Sequence, residues 1–176
     1  MTLAEIRKRT GHYPNTLTTK QAATSWLLGL SQQCQFAVTL TFKQTVHIKN
    51  ERGEQYRALN IDDVERAVAR FQQKLNRQMF GNAAERYGKT LNYLTIAEGL
   101  RNHKNLHVHM AVGGWRKGQP FNQFIPMLNK AAALVDQIDS QKDLQIMDSG
   151  WTEYICKEIA TNDTDNVLWQ LTTLHN

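Results

Sequence analysis

His107-Val108-His109 is the part of this chain best suited to chemistry, because side chains two positions apart on a strand project from one face and can share a metal ion. Six histidines in 176 residues give roughly 0.2 such pairs by chance, so the pair needs support from its surroundings. Glu98 supplies that support if residues 91–98 and 106–112 form a hairpin. Pairing Glu98 with Asn105, or with His107 in a looser register, sets its carboxylate on the face of the two imidazoles. Two imidazoles and one carboxylate leave coordination positions open, as a catalytic metal requires and a structural one does not. His103, in the intervening loop, is expected at the surface rather than as a fourth ligand.

The last expected helix, Trp151 to Ala160, offers a nucleophile. Trp151, Ile155 and Ile159 form a narrow apolar stripe, and Tyr154 and Lys157, three apart, share its flank. Leu94 and Ile96 have the parity of Glu98, so the metal-bearing face offers that stripe an apolar patch. Docking there brings Tyr154 toward the cation, although helix position alone is equally satisfied by an ordinary amphipathic tyrosine. An unperturbed phenol ionises near pH 10, a deficit of about 4 kcal/mol for a phenolate at pH 7. Lys157 and a nearby cation would reduce it. Attack on a phosphodiester by tyrosine keeps the bond energy in a phosphotyrosine, so that nicking becomes reversible joining.

Competing motifs fail on their neighbours. Met110-Ala111-Val112-Gly113 provides neither the glutamate that a cupin needs after its histidine pair nor the Asp-His of a metallo-β-lactamase. Gly81 to Thr90 looks like a phosphate-binding loop but has six residues between its glycines and precedes a strand instead of following one, which leaves ATPase or helicase chemistry without support.

The elements that must position these residues are legible in the periodicity. Phe36, Val38, Leu40 and Phe42 alternate with Thr39, Thr41 and Lys43, which predicts a strand. Asn60 caps a helix over 61–80, with Val64, Val68, Phe71, Leu75 and Met79 at steps of three and four before Gly81. Its other side carries Arg66, Arg70, Lys74 and Arg77, read as a solvated outer face ahead of a DNA-contacting stripe. After the Gly113-Gly114 break, 121–138 reads as a helix with Pro126 near its start, and Leu144 to Met147 as a short strand. This is an α+β order, β-α-β-β-α-β, as in a ferredoxin-like or RRM-like split βαβ fold with a central antiparallel sheet, plus a terminal helix carrying the nucleophile. Residues 1–35, with short helices at 2–9 and 19–31 around the turn from Gly11 to Asn15, form an N-terminal helical extension, and 36–176 form the catalytic domain. Residues 166–174 carry no assignment.

Composition narrows the class further. With 41% hydrophobic and 21% charged residues, the chain has room for one domain and one core. The longest wholly apolar run, Ala131 to Val135, is far short of the roughly 20 residues that span a bilayer, and no signal-peptide pattern opens the chain; a cytoplasmic protein with no membrane partner is expected. Cys34 and Cys156 have no metal-like spacing and are expected as free thiols. A net charge of +5 suits a phosphate-rich partner.

Taken in order, three short motifs resemble those of the HUH endonucleases, and within them the single-tyrosine Rep-type initiators of rolling-circle replication. Phe36-Ala37-Val38-Thr39-Leu40-Thr41 is similar to the first, His107-Val108-His109 to the metal-binding pair, and Tyr154-Ile155-Cys156-Lys157 to the Tyr-x-x-Lys motif. Glu98, nine residues before His107, matches the acidic third ligand of many Reps. The resemblance spans residues 36 to about 160. It implies one divalent cation, Mn²⁺ or Mg²⁺, on His107, His109 and Glu98, with Tyr154 and Lys157 catalytic. It further implies a site-specific nick in single-stranded DNA, at an origin or hairpin of a plasmid or phage-like replicon. The products would be a 5′-phosphotyrosine and a free 3′-hydroxyl for a host polymerase, with unwinding left to a host helicase. Imidazole ligands make Mn²⁺ the expected better fit in vitro. DNA contacts are expected from Arg101 and Lys104 in the hairpin loop and from Trp115, Arg116 and Lys117, with Trp115 either stacking on a base or packing inside. A single-tyrosine HUH transposase or a relaxase shares the chemistry, but such transposases tend to carry a glutamine where Glu158 stands. From another class, a non-catalytic nucleic-acid-binding domain of ferredoxin-like fold would need aromatic residues on the central strands, where His107 and His109 stand.

Overall fold

The computed structural model describes residues 18–51, 53–99, 106–115, 120–159 and 165–175. The expected helix at 2–9, the turn from Gly11 to Asn15, and Arg101, His103, Lys104, Arg116 and Lys117 lie outside the described residues. In chain order the elements are α1 (Thr19–Ser31), β1 (Cys34–Phe42), β2 (Thr45–Asn50), β3 (Gly53–Ala58), α2 (Ile61–Phe80), α3 (Asn82–Tyr87), β4 (Asn92–Glu98), β5 (His107–Gly113), α4 (Phe124–Ala133), β6 (Ile138–Ile146) and α5 (Ser149–Ile155). Short 3₁₀ turns follow at Phe121–Gln123, Cys156–Glu158 and Trp169–Leu171. Strands β4, β5, β1 and β6, in that order, make a four-stranded sheet with every neighbouring pair antiparallel, an α+β arrangement compatible with a ferredoxin-like split fold.

Alternation along β1 divides the molecule into two packed layers. Phe36, Val38, Leu40 and Phe42 meet Val64, Val68, Phe71 and Leu75 of α2 and Phe124 and Leu128 of α4 in the larger core. On the other face Leu94, Ile96 and Ala111 are covered by Ala23 and Leu27 of α1 and by Ile155, Cys156 and Ile159. Both cysteines are free, and burial pushes the Cys34 thiol up to about 12. Among the described residues no helix is long and apolar enough to cross a membrane.

Several elements differ from their sequence expectation for physical reasons. The expected 121–138 helix is a 3₁₀ turn followed by α4, with Pro126 in the first turn, where its missing N–H is harmless. Strand β6 begins at Ile138, not Leu144; it is an edge strand rich in Asp, Gln and Lys, held by its backbone ladder to β1 rather than by apolar alternation. The hairpin β2–β3 has no signature in the periodicity, because β3 is exposed along its whole length and has no buried face to impose a pattern. Residues 166–173 border the open edge of β4 through bridges Ile96 to Val167 and Tyr93 to Thr173, which covers an edge otherwise free to pair with another chain. On the basic side of α2, Arg66 pairs with Asp63 and Arg77 with Glu85 of α3, while Arg70 and Lys74 are exposed, as a solvated face requires.

Asp63 anchors the start of α2. It forms a capping box with Asn60 and receives the Arg57 guanidinium at 2.5 and 2.8 Å and Arg66 at 2.6 Å. The Arg57 hydrogen bonds, with those from the Asn60 backbone and Arg66, outweigh burial and hold its carboxyl well below the usual range. A depressed carboxyl contributes stability that is present above its ordinary value of about 4 and lost as pH falls through the folded value. Asp63→Asn should therefore cost about 1–3 kcal/mol at neutral pH in urea unfolding and flatten the acid limb of the stability profile below about pH 4.

Candidate metal centre and its tyrosine

Strand register builds the site. On β5, His107 stands opposite Glu98 of β4 and Thr41 of β1, and His109 opposite Ile96 and Thr39. Directly opposed residues share a face, so the carboxylate, both imidazoles and both threonines lie on one side of the sheet. Of the two hairpin registers open to the sequence, the one that pairs Glu98 with His107 is found.

Glu98 Oε2 lies 2.8 Å from His109 Nε2 and 3.1 Å from His107 Nε2, and one ligand atom from each of the three residues lies within 4.8 Å of the others. Two ligands each about 2.1 Å from one ion, at right angles, sit about 3 Å apart, so the separation of Glu98 from each imidazole fits neighbouring positions around a divalent cation. The outer contacts fit as well. His109 Nδ1 is 3.0 Å from Thr39 Oγ1; on metal binding Nδ1–H can donate to that hydroxyl, and Nε2, which faces Glu98 Oε2 here, would turn its lone pair to the ion. Glu98 Oε1 is engaged separately, by the Lys157 ammonium at 3.0 Å.

The charge states favour ligation. Burial of His109 lowers its pKa, outweighing the Glu98 hydrogen bond, and so favours the neutral imidazole that binds metals. Burial alone would raise Glu98, but hydrogen bonds from Lys157 and His109 prevail and hold the carboxyl below its ordinary value. Hydrogen bonding to Tyr154 and then to Glu98 raises Lys157, which stays a cation.

Helix α5 crosses this same face. Asp148 Oδ1 accepts the Trp151 N–H at 2.8 Å to start the helix, and the burial of Ile155 and Ile159 fixes its rotation. Tyr154 then stands with its ring centroid 5.9 Å from that of His109, the planes nearly perpendicular, and Trp151 meets the same imidazole at 6.1 Å. After Ile155 the helix tightens into a 3₁₀ turn, whose three-residue repeat brings Lys157 Nζ to 4.0 Å from the Tyr154 ring centroid. The Lys20 ammonium of α1 bonds the Lys157 carbonyl at 3.1 Å and ties the turn down. An open cleft of about 730 Å³ lies before the site, walled by the histidines, Thr39, Trp151 and Tyr154 on one side and by Asp143 and its neighbours of β6 on the other.

Glu98, His107, His109, Tyr154 and Lys157 thus come together as the sequence suggested. Trp115 does not join them: it packs edge-on against Phe36 and Phe124, at 5.8 and 5.2 Å, on the opposite face of the sheet. Arg101, Lys104, Arg116 and Lys117 lie outside the described residues. The contacts of Thr39 and Trp151 with His109 were missed. Parity along β1 already put Thr39 on the polar face, but only the adjacency of β1 and β5, absent from any linear pattern, sets it against His109.

Thr39→Val removes the acceptor that fixes the His109 ring without changing its volume. It should weaken Mn²⁺ binding by about tenfold in a calorimetric titration, with Thr39→Ser close to the wild type. Comparison with known protein families, curated proteins and solved structures finds no match for this chain, so a functional reading rests on the geometry of the site itself.

Proposed function

We propose that this chain is a metal-dependent endonuclease and ligase of single-stranded DNA, of the HUH type on a ferredoxin-like split βαβ core, that initiates rolling-circle replication. The observation that carries this reading is the docking of the Tyr154 and Lys157 helix on the sheet face of Glu98, His107 and His109, with the phenol ring beside the inner imidazole. A divalent cation held by those three residues would polarise a phosphodiester oxygen. Tyr154 Oη attacks phosphorus; the Oη–P bond forms as the P–O3′ bond breaks. The phenolic proton passes to solvent at the half-exposed ring, and the leaving 3′ oxygen takes up a proton in turn. Lys157, kept as an ammonium, stabilises charge developing on the phenol oxygen and is unsuited to act as a base. Return of a 3′-hydroxyl to the phosphotyrosine reverses the step and joins the strand. A single-tyrosine transposase or a relaxase would use the same steps; the Tyr-x-x-Lys spacing favours the initiator.

A non-catalytic binding sheet fits less well. The central strands present Thr39 and Thr41 of β1 and His107 and His109 of β5 to the cleft, with no aromatic platform for bases.

Incubation with a random-sequence pool of labelled single-stranded oligonucleotides and Mn²⁺ should give a denaturant-resistant protein–DNA adduct. Tyr154→Phe and His109→Ala should abolish it, chelation should prevent it, and Lys157→Ala should slow it by about 10- to 100-fold. An undiminished adduct from Tyr154→Phe would overturn the assignment of the nucleophile.

A further inference from the structure

The β2–β3 hairpin stands apart from the site just described, yet it leaves the sheet beside it. It springs from the end of β1 that pairs with His107, and the hydrogen bond from Leu59 N–H to Gln44 O closes its root. Val46 and Arg57 form one cross-strand pair; Val46 packs on the main core and Arg57 on Asp63, so this side of the hairpin is turned toward α2. The next pair, His47 and Tyr56, is turned the other way by alternation.

That outward pair is built as a flat aromatic surface. The two rings stack at 4.9 Å with planes 27° apart, and Tyr56 is 74% exposed, so its outer π-face is open to solvent. Glu54 steadies the imidazole, its carboxylate 3.2 Å from His47 Nε2 and 3.5 Å from Lys49 Nζ, so the local acid already has its partners. At the foot of the stack lies a groove of about 340 Å³, lined by Lys43, His47 and Tyr56 and by Asp136 and Gln137 from the turn before β6. Gln137 Oε1 has no hydrogen-bond partner among the described residues. The groove is continuous in chain with the metal cleft: Phe42 and Gln44 line the cleft while Lys43 and Thr45 line the groove, and Asp139 lines the cleft while Asp136 and Gln137 line the groove.

We infer that the hairpin is an arm that holds the single strand beyond the scissile phosphate, with an unpaired base stacked on the outer face of Tyr56 and its phosphates near Lys43 and Lys49. Three observations select this occupant. A stacked aromatic with one open π-face accepts any base, and the arm's cations suit a polyanion. Asp136 and Gln137 suit the hydrogen-bond donors of a base edge and disfavour a phosphate at the same place. Residues next to one another in the chain also line the groove and the cleft, which sets the two close together. The inference rests on the proposed DNA-nicking function and extends it to substrate grip outside the metal centre.

The test compares wild type, Tyr56→Ala and Tyr56→Trp binding to fluorescent oligothymidylates of increasing length, from about 6 to about 30 nucleotides, in metal-free buffer. Tyr56→Ala should match the wild type on the shortest oligonucleotides and bind about tenfold more weakly once the strand is long enough to reach the arm, while Tyr56→Trp keeps the wild-type affinity. Equal affinities of wild type and Tyr56→Ala at every length overturn the inference, and so does a loss already complete on the shortest strand, which would place the effect inside the cleft. A covalent-adduct assay of the same proteins with Mn²⁺ and the random pool tests the enzyme separately. Wild-type adduct without a length-dependent Tyr56 effect overturns the arm and leaves the nuclease standing; a length-dependent Tyr56 effect without any wild-type adduct does the reverse.

Discussion

One carboxylate joins the two halves of the site. Glu98 turns Oε2 toward the Nε2 atoms of His107 and His109 and Oε1 toward Lys157, so a single side chain on β4 connects the metal-binding strands to the helix carrying the tyrosine. A carboxylate this deep is stable only if its charge is met on both oxygens. Lys157 meets one oxygen, and a cation held with the two imidazoles would meet the other. Because Lys157 also lies over the Tyr154 ring, a shift of the carboxylate would reach both the candidate metal site and the tyrosine.

The sheet makes this possible by being asymmetric. Its helix-covered face carries Phe36, Leu40, Val108 and Met110, which interlock with α2 and α4 and need no polar partner. The opposite face carries Thr39 and Thr41 at the centre, residues small enough to leave a cleft and polar enough to hold an imidazole in place. The apolar part of that face, Leu94, Ile96 and Ala111, lies toward the β4 edge, and there α1, α5 and the segment around Val167 close over it. The second apolar cluster therefore positions Tyr154 as much as it stabilises the fold.

Where a face was buried, the sequence could be read. The alternation of Phe36 to Phe42, the three-and-four spacing from Val64 to Met79, and the shared parity of Leu94, Ile96 and Glu98 all correspond to surfaces that exclude water, and the metal-ligand set followed from them. The elements that were not legible are those whose structure comes from partners distant in sequence. Strand β6 is polar through Asp139, Gln141 and Asp143 and is held by the β1 backbone; β3 has no buried side; and residues 166–173 take their shape from the edge of β4. At the site itself, Thr39 and Trp151 fall in this second group, since neither has a local pattern that points to His109.

The candidate ligands and Tyr154 are held with different stiffness, and the proposed chemistry needs that difference. His107 and His109 stand on a central strand bonded on both sides, and Glu98 on its neighbour, so the ladder fixes their spacing to within the tolerance a small cation demands. Tyr154 stands on a seven-residue helix, far shorter than the roughly 12 residues at which a helix begins to persist unaided in water, and its position rests on Ile155, Ile159 and the Lys20 contact. A tyrosine that becomes esterified to a DNA end must accommodate a tetrahedral phosphorus and a departing strand at the place where its hydroxyl stood. A short helix held mainly by one apolar stripe can absorb more of that change than a hydrogen-bonded ladder could, and what reaches the candidate ligands passes through the Lys157–Glu98 contact.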